Sequence, residues 1–146
     1  LSDSQKAQAK DLLMTASFLQ FTLPGAPSIY YADEAGMEGH KDPFNRRTYP
    51  WGQEGPELLG HFRTLGQLKK SQPALQLGNV AFFCAEGKKL GFSRQYEGKT
   101  LKIYVNRSSG NWEIPYGNVL VSHKLLTPRS AKTEIAPGGF CVTEVL

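Results

Sequence analysis

The chain has 146 residues, 40% of them hydrophobic and 21% charged, so it can bury a core and is not expected to be disordered over most of its length. The formal net charge is +4. The basic residues are scattered as pairs and form no stripe, which argues against a nucleic-acid-binding protein. No apolar run reaches the length of about 18 residues that a membrane-spanning helix needs, so no membrane contact is predicted.

Residues 3–22 are predicted to form the first helix. Ser2 can cap its N-terminus, and Gln5 three residues later completes a capping box. Apolar residues repeat at helical spacing and predict one buried stripe: Leu12, Ala16, Leu19 and Leu23.

No signal peptide is recognisable. Because the chain begins in a helix without a Met, we expect it to be a piece of a longer protein, and its compartment stays open, with the cytoplasm slightly favoured.

A short β-prone run, Ser28-Ile29-Tyr30-Tyr31, follows and predicts a buried parallel strand. A lone strand leaves its backbone groups unpaired, so it needs a missing remainder or a second copy of the chain as partner. Residues 32–55 then show no periodicity and are rich in Gly and Pro. Loops this much longer than about 12 to 15 residues are usually functional or disordered.

Pro56 begins a second predicted helix, which Pro73 ends. After Leu77 the sequence alternates between short β-prone runs and turn residues, which predicts a small antiparallel sandwich. The candidate strands are Val80–Ala85, Lys89–Tyr96, Thr100–Arg107, Val119–Leu126 and Phe140–Val145, with a turn at Pro137-Gly138-Gly139 before the last. The two cysteines are expected as buried thiols, although one disulfide is an alternative, and alone they make no zinc site.

The stretch FTLPGAPSIYYADEAGMEGHKDPFNRRTYPW resembles the end of the catalytic barrel in the α-amylase family of glycoside hydrolases, most of all the neopullulanase, cyclomaltodextrinase and maltogenic amylase group. The similarity lies in the LPG turn into the eighth barrel strand, the acidic pair Asp33-Glu34 and the D-P-x-x-R segment at residues 42–46. The resemblance is specific over about residues 15–75. Beyond residue 75 only the architecture is similar. Ala32 departs from the pattern, because the family usually has glycine there.

The resemblance implies a mixed fold that is mainly β overall, in two domains. Residues 1–76 would be the last part of a (β/α)8 barrel (helix 7, strand 8, the long loop and helix 8), and residues 77–146 an antiparallel C-terminal β-sandwich. It also implies a retaining enzyme that hydrolyses or transfers α-1,4 or α-1,6 glucosidic bonds. Its three catalytic carboxylates would precede this chain, so no catalytic residue and no activity are expected here. Asp33 and Glu34 point to opposite sides of an extended chain, which is unsuitable for a carboxyl pair about 5 to 5.5 Å apart.

Asp42 and Arg46 are the best candidate substrate-binding residues. In related enzymes the Asp and Arg of this segment contact the bound glucan, and charged groups hydrogen-bond well to sugar hydroxyls. The alternative is a salt bridge that only fixes the loop. Tyr31 is the third candidate, as an aromatic face for a pyranose, although core packing of Tyr30 and Tyr31 is the favoured alternative.

The remaining candidates carry weaker signals. Tyr49 and Trp51 also offer aromatic faces to a sugar, whereas Asp33 and Glu34 are expected to hold the loop. His40, with Glu38 and Asp42 nearby in the sequence, is too weak a pattern to predict a metal site, and no cofactor motif is present.

Two other functions compete with a glycoside hydrolase segment. One is a non-catalytic carbohydrate-binding module with an aromatic platform of Trp112, Tyr116, Tyr96 and Tyr104. The other is a structural domain without a ligand, in which the unpaired strand favours self-association. The expected partners are therefore α-glucan oligosaccharides or polysaccharides in the full-length enzyme, and a second copy of the chain in a homodimer through the unpaired strand.

Overall fold

A computed structural model of the chain describes residues 2–126 and 133–145, so residues 127–132 and 146 of the predicted second domain lie outside the described residues. Helices come first and an antiparallel sheet follows, which confirms the fold class. The elements are α1 (Asp3–Thr22), α2 (Pro56–Ser71), α3 (Pro73–Leu77), β1 (Asn79–Glu86), β2 (Lys89–Tyr96), β3 (Lys99–Asn106), β4 (Trp112–Ile114), β5 (Asn118–Leu126) and β6 (Thr133–Glu144). None of the described helices combines the length and apolar character that crossing a bilayer requires.

Helix α1 begins as predicted but buries a different face. The Ser2 backbone N–H donates to Gln5 Oε1 over 2.8 Å, and the Gln5 backbone N–H donates to Ser2 Oγ over 3.3 Å, which completes the capping box. The predicted stripe is wrong in its first half, because Leu12 is 44% exposed and Ala16 is exposed, whereas Leu19 and Leu23 pack against the core. The sheet contacts the face that carries the aromatic rings of Phe18 and Phe21, since these rings remove more apolar area from water than Leu12 and Ala16 would.

The strand predicted at residues 28–31 is not formed. Ile29, Tyr30 and Tyr31 have no strand assignment and are exposed, so core packing of the two tyrosines is also wrong. The physical reason is that the segment has no neighbouring strand to pair with among the described residues. A strand requires a neighbour for its N–H and C=O groups, and none of the six described strands pairs with this segment.

Helix α2 buries one apolar face, formed by Leu58, Phe62, Leu65 and Leu68. It ends at Ser71, and Pro73 starts the short helix α3 rather than leading directly into the sheet. Pro is well tolerated at the first position of a helix because its missing N–H would have no partner there.

The six described strands form one antiparallel sheet in the order β1-β2-β3-β6-β4, with β5 also paired to β6. Strand β6 starts well before Phe140, so the turn predicted at Pro137-Gly138-Gly139 is wrong. The chain instead bends within the strand. Residues 133–135 pair with β4, and residues 140–144 pair with β3. A side chain at Gly139 would come within 2.7 Å of the His123 carbonyl oxygen, so glycine permits β5 and β6 to approach at the bend.

The main core lies between the helices and one face of the sheet. Phe18 of α1 stacks on Phe140 of β6 with ring centroids 4.2 Å apart. Leu65, Leu75 and Ile103 are fully buried in the same cluster. A smaller cluster covers the opposite face of the sheet, formed by Tyr104, Ile114, Ile135 and Cys141. Cys84 and Cys141 are both free, and only Cys141 is buried.

Candidate functional site: the loop between α1 and α2

At the start of the loop of residues 23–55, the cationic side chains of Arg94 and Lys69 bind backbone carbonyl groups, an arrangement that we call the clasp. Arg94 of β2 is buried and donates to the Thr22 carbonyl over 2.6 Å and to the Gly78 carbonyl over 2.9 Å. Lys69 of α2 donates to the Leu23 carbonyl over 3.2 Å. Positive charge stabilises the C-terminal end of a helix, where carbonyl groups lack partners within the helix. The sheet and α2 therefore fix the point at which the chain leaves α1.

The next segment is a tight turn centred on Ala32. This residue is buried, has a φ of 70°, and accepts hydrogen bonds from the backbone N–H groups of Ala35 and Met37. A positive φ favours glycine, since Cβ is crowded in the left-handed region, with a cost of about 1 kcal/mol or more for alanine. The departure from the family pattern noted in the sequence thus falls on the position where glycine suits the backbone best.

Asp42 and Arg46 form an exposed ion pair. Arg46 Nε lies 2.8 Å from Asp42 Oδ1, and their side chains are 70% and 63% exposed. An ion pair in this setting contributes at most about 1 kcal/mol to folding stability, so its structural role is small. The remaining guanidinium N–H groups and the second carboxylate oxygen lie on the surface, where they can donate to and accept from hydroxyl groups of a ligand.

Tyr31 reaches across the loop to the segment that follows Arg46. Its hydroxyl donates to the Arg47 carbonyl over 2.9 Å and lies 3.4 Å from the Asn45 carbonyl. The structure therefore brings Tyr31 next to the D-P-x-x-R segment, as a shared site requires. The ring is partly exposed, while its hydroxyl is engaged in holding the loop.

Asp33 and Glu34 lie on the inner side of the loop. Burial, and then the neighbouring charge of Glu34, raise the pKa of the Asp33 carboxyl. Desolvation, and next the charge of Glu34, raise the pKa of the Tyr49 phenol. Glu34 lines a cavity of about 340 Å³ with Tyr31 and Phe62.

Comparison with known proteins shows what this chain is similar to. No protein-family model matches the chain. The chain is 42% identical over 98 residues to an amylopullulanase of Thermoanaerobacter thermohydrosulfuricus, which covers 64% of the chain and 7% of that protein. It is 39% identical over 100 residues to a cyclomaltodextrinase of Geobacillus thermopakistaniensis, which covers 66% of the chain and 17% of that protein. The chain is a homologue of the α-amylase-family glycoside hydrolases.

Solved structures agree with this assignment. A maltogenic amylase from S. marinus superposes with a TM-score of 0.78 at 28% identity, over 92% of this chain and 19% of that one. A debranching enzyme from Nostoc punctiforme, soaked with acarbose, superposes with a TM-score of 0.78 at 24% identity, over 92% of this chain and 29% of that one. The chain thus spans a small part of the length of its α-amylase-family relatives.

Glu38, His40 and Asp42 do not come together as a metal site in the described part of the chain. Within residues 2–126 and 133–145, no group of three or more His, Cys, Asp or Glu could hold a metal ion. Glu38 instead pairs with Lys6 over 3.1 Å, which lowers the pKa of its carboxyl. His40 lines a separate cavity of about 460 Å³ with these two residues.

One residue of the aromatic platform of the alternative binding module, Tyr104, has no free face. Tyr104 is 3% exposed and packs edge-on against Trp112 with ring centroids 5.4 Å apart. Because its ring belongs to the small core cluster, it cannot offer a face to a sugar. This removes one of the four residues on which that alternative depends.

The positioning roles of Arg94 and Lys69 were missed from the sequence. A signal was present for Arg94. It lies two residues after Phe92 in β2, so the alternation of a strand puts both side chains on the buried face.

Proposed function

We propose that this chain forms the last part of the catalytic barrel and the C-terminal sandwich of an α-glucan-active glycoside hydrolase. The observation that supports it best is the placement of the D-P-x-x-R segment beside Tyr31, in a chain homologous to amylopullulanase and cyclomaltodextrinase. The whole enzyme would be a retaining hydrolase or transferase for α-1,4 or α-1,6 bonds. Its domains would divide at residues 76 and 77 of this chain.

Within that enzyme, Asp42, Arg46 and Tyr31 would bind the glucan, and the catalytic carboxylates would lie N-terminal to this chain. Two loop carboxylates already have cationic partners, since Asp42 pairs with Arg46 and Glu38 pairs with Lys6. A retaining glycosidase needs one carboxylate as nucleophile and a second as acid and base. The exposed residues Ile29 and Tyr30 would contact the rest of the barrel, or a second copy of this chain in a homodimer.

The glucan-binding role is tested in a chimaera in which this chain replaces the matching segment of the Geobacillus cyclomaltodextrinase. Asp42→Ala and Arg46→Ala should each lower kcat/KM for cyclomaltodextrin about tenfold or more, mainly through KM, because a charge-assisted hydrogen bond is worth about 1.5 to 3 kcal/mol.

The matched control is Lys99→Ala, which breaks the partly exposed Lys99–Glu144 pair of 2.9 Å on the sheet and should leave the kinetics unchanged. Equal kinetics for Asp42→Ala, Arg46→Ala and the control would show that the Asp42–Arg46 pair is only a surface salt bridge.

A further inference from the structure

Trp51 is 81% exposed, although it carries the largest apolar ring system of the twenty side chains. Large exposed apolar groups that cluster together often mark a binding surface. Trp51 is not alone: the Tyr49 ring lies beside it, with centroids 4.6 Å apart and planes inclined by 49°. The two rings form a continuous aromatic surface on the outside of the loop.

The aromatic pair is held by its own turn. The Trp51 N–H donates to the Tyr49 carbonyl over 3.0 Å, and the Gln53 N–H donates to the Pro50 carbonyl over 3.0 Å. Gly52 lies between them with a φ of 76°, a conformation that glycine adopts without strain. The rings are therefore presented in a fixed arrangement, which reduces the entropy lost on binding.

The pair lies in a shallow, open concavity of about 710 Å³. Its lining combines aromatic faces with hydrogen-bonding groups: Met37, Arg47, Thr48, Tyr49, Pro50, Trp51 and Gln53. A pyranose has an apolar face of C–H groups and a rim of hydroxyls, so it needs both kinds of partner at once. A purely apolar occupant would leave the polar groups of Arg47 and Gln53 without hydrogen bonds.

We propose that Tyr49 and Trp51, with Arg47, Thr48 and Gln53 around them, form a sugar-binding subsite separate from the Asp42–Arg46 pair. A glucose unit of an α-glucan would stack on the indole while the surrounding groups bind its hydroxyls. The two sites lie on one loop, since Tyr31 binds the Arg47 carbonyl at the junction between them. The choice of α-linked glucose rests on the proposed function, whereas the stacking platform itself rests on the geometry.

The test is titration of this chain with maltoheptaose, followed by tryptophan fluorescence in a Trp112→Phe background that leaves Trp51 as the reporter. We expect a saturable change in the Trp51 emission. By calorimetry, Trp51→Ala should weaken binding about tenfold, as loss of an aromatic contact predicts. Tyr116→Ala is the matched control, because Tyr116 is 77% exposed on the sheet and should leave binding unchanged.

Three results would overturn this subsite: no binding of maltoheptaose, unchanged affinity in Trp51→Ala, or an equal loss in Tyr116→Ala. Circular dichroism of each variant checks that the fold is retained. Failure of the proposed Trp51 subsite can be distinguished from failure of the proposed function. If Asp42→Ala impairs the chimaera while Trp51→Ala leaves maltoheptaose binding intact, the glycoside hydrolase assignment stands and only the Trp51 subsite falls.

Discussion

At the residue scale, His61 makes the free energy of unfolding depend on pH. Its Nε2 lies 2.9 Å from Ser17 Oγ, and its ring packs against Phe62 and Phe140. Burial, and next the nearby charge of His123, lower the pKa of His61 to about 4, against weaker opposing effects of the Met14 backbone and Glu57. The neutral imidazole is therefore the form that fits the folded state.

This lowered pKa predicts loss of stability in mild acid. Between the unfolded pKa of about 6.5 and the folded pKa of about 4, the unfolded chain binds the extra proton, so the free energy of unfolding falls as the pH falls through this window. The expected loss from His61 is about 2 kcal/mol, less than the full shift implies because water screens part of the ring. Urea unfolding between pH 4 and pH 7 measures it.

Two variants separate His61 from the other titrating groups. His61→Gln should show a shallower decrease in stability across this pH range than the wild type. His40→Gln, in the exposed loop, should show the wild-type slope. An identical slope in His61→Gln and the wild type would contradict the assignment.

The sequence names candidate site residues, but it does not predict how they are arranged in space. Asp42 and Arg46 are candidates because residues 42–46 resemble the D-P-x-x-R segment of the family. The contact of Tyr31 with the Arg47 carbonyl depends on a chain reversal across 16 residues that no local pattern encodes. Likewise, the buried position of Tyr104 follows from tertiary packing, which an alternating strand pattern does not specify.

At the element scale, the end of α1 depends on Arg94. Its guanidinium is buried and bonds two carbonyl groups from different elements. Arg94→Met should lower the free energy of unfolding by about 2 to 4 kcal/mol, because the carbonyls of Thr22 and Gly78 would be buried without partners. Arg94→Lys should recover only part of the loss, since one ammonium group does not reproduce the planar fork.

Chemical denaturation of these variants measures the effect of Arg94, with Lys70→Met as the control. Lys70 is an exposed cation on α2 next to the clasp residue Lys69, so its replacement should change stability by less than about 0.5 kcal/mol. Equal stabilities for Arg94→Met and Lys70→Met would contradict the stabilising role of Arg94 at the end of α1.

Elements with a strong local signal were predicted well. Strand β2 has the predicted bounds, because turn residues close both of its ends. Strand β6 was predicted too short, because Gly138-Gly139 is typical of a turn in isolation, whereas here the glycines permit a bend beside β5. The strand predicted at residues 28–31 failed for the opposite reason. Its residues favour a strand, but a partner is a property of the whole sheet.

At the scale of the whole molecule, the helices and the sheet share one core through contacts such as Phe18 with Phe140. The loop with the candidate residues lies outside this core and exposes Tyr30, Phe44 and Trp51. A stable core beneath an exposed, aromatic-rich loop suits a segment whose loop meets a ligand or the rest of an enzyme.

Hydrolysis of pullulan and soluble starch, assayed in parallel for this chain and for its cyclomaltodextrinase chimaera, is the most direct test. The proposal predicts no release of reducing sugar by the chain alone and clear turnover by the chimaera, because the chimaera supplies the catalytic carboxylates. Turnover by the chain alone would contradict it and make Asp33, Glu34, Glu38 and Asp42 the residues to replace first. A folded but inactive chimaera would equally contradict the proposed place of this chain in an α-glucan hydrolase.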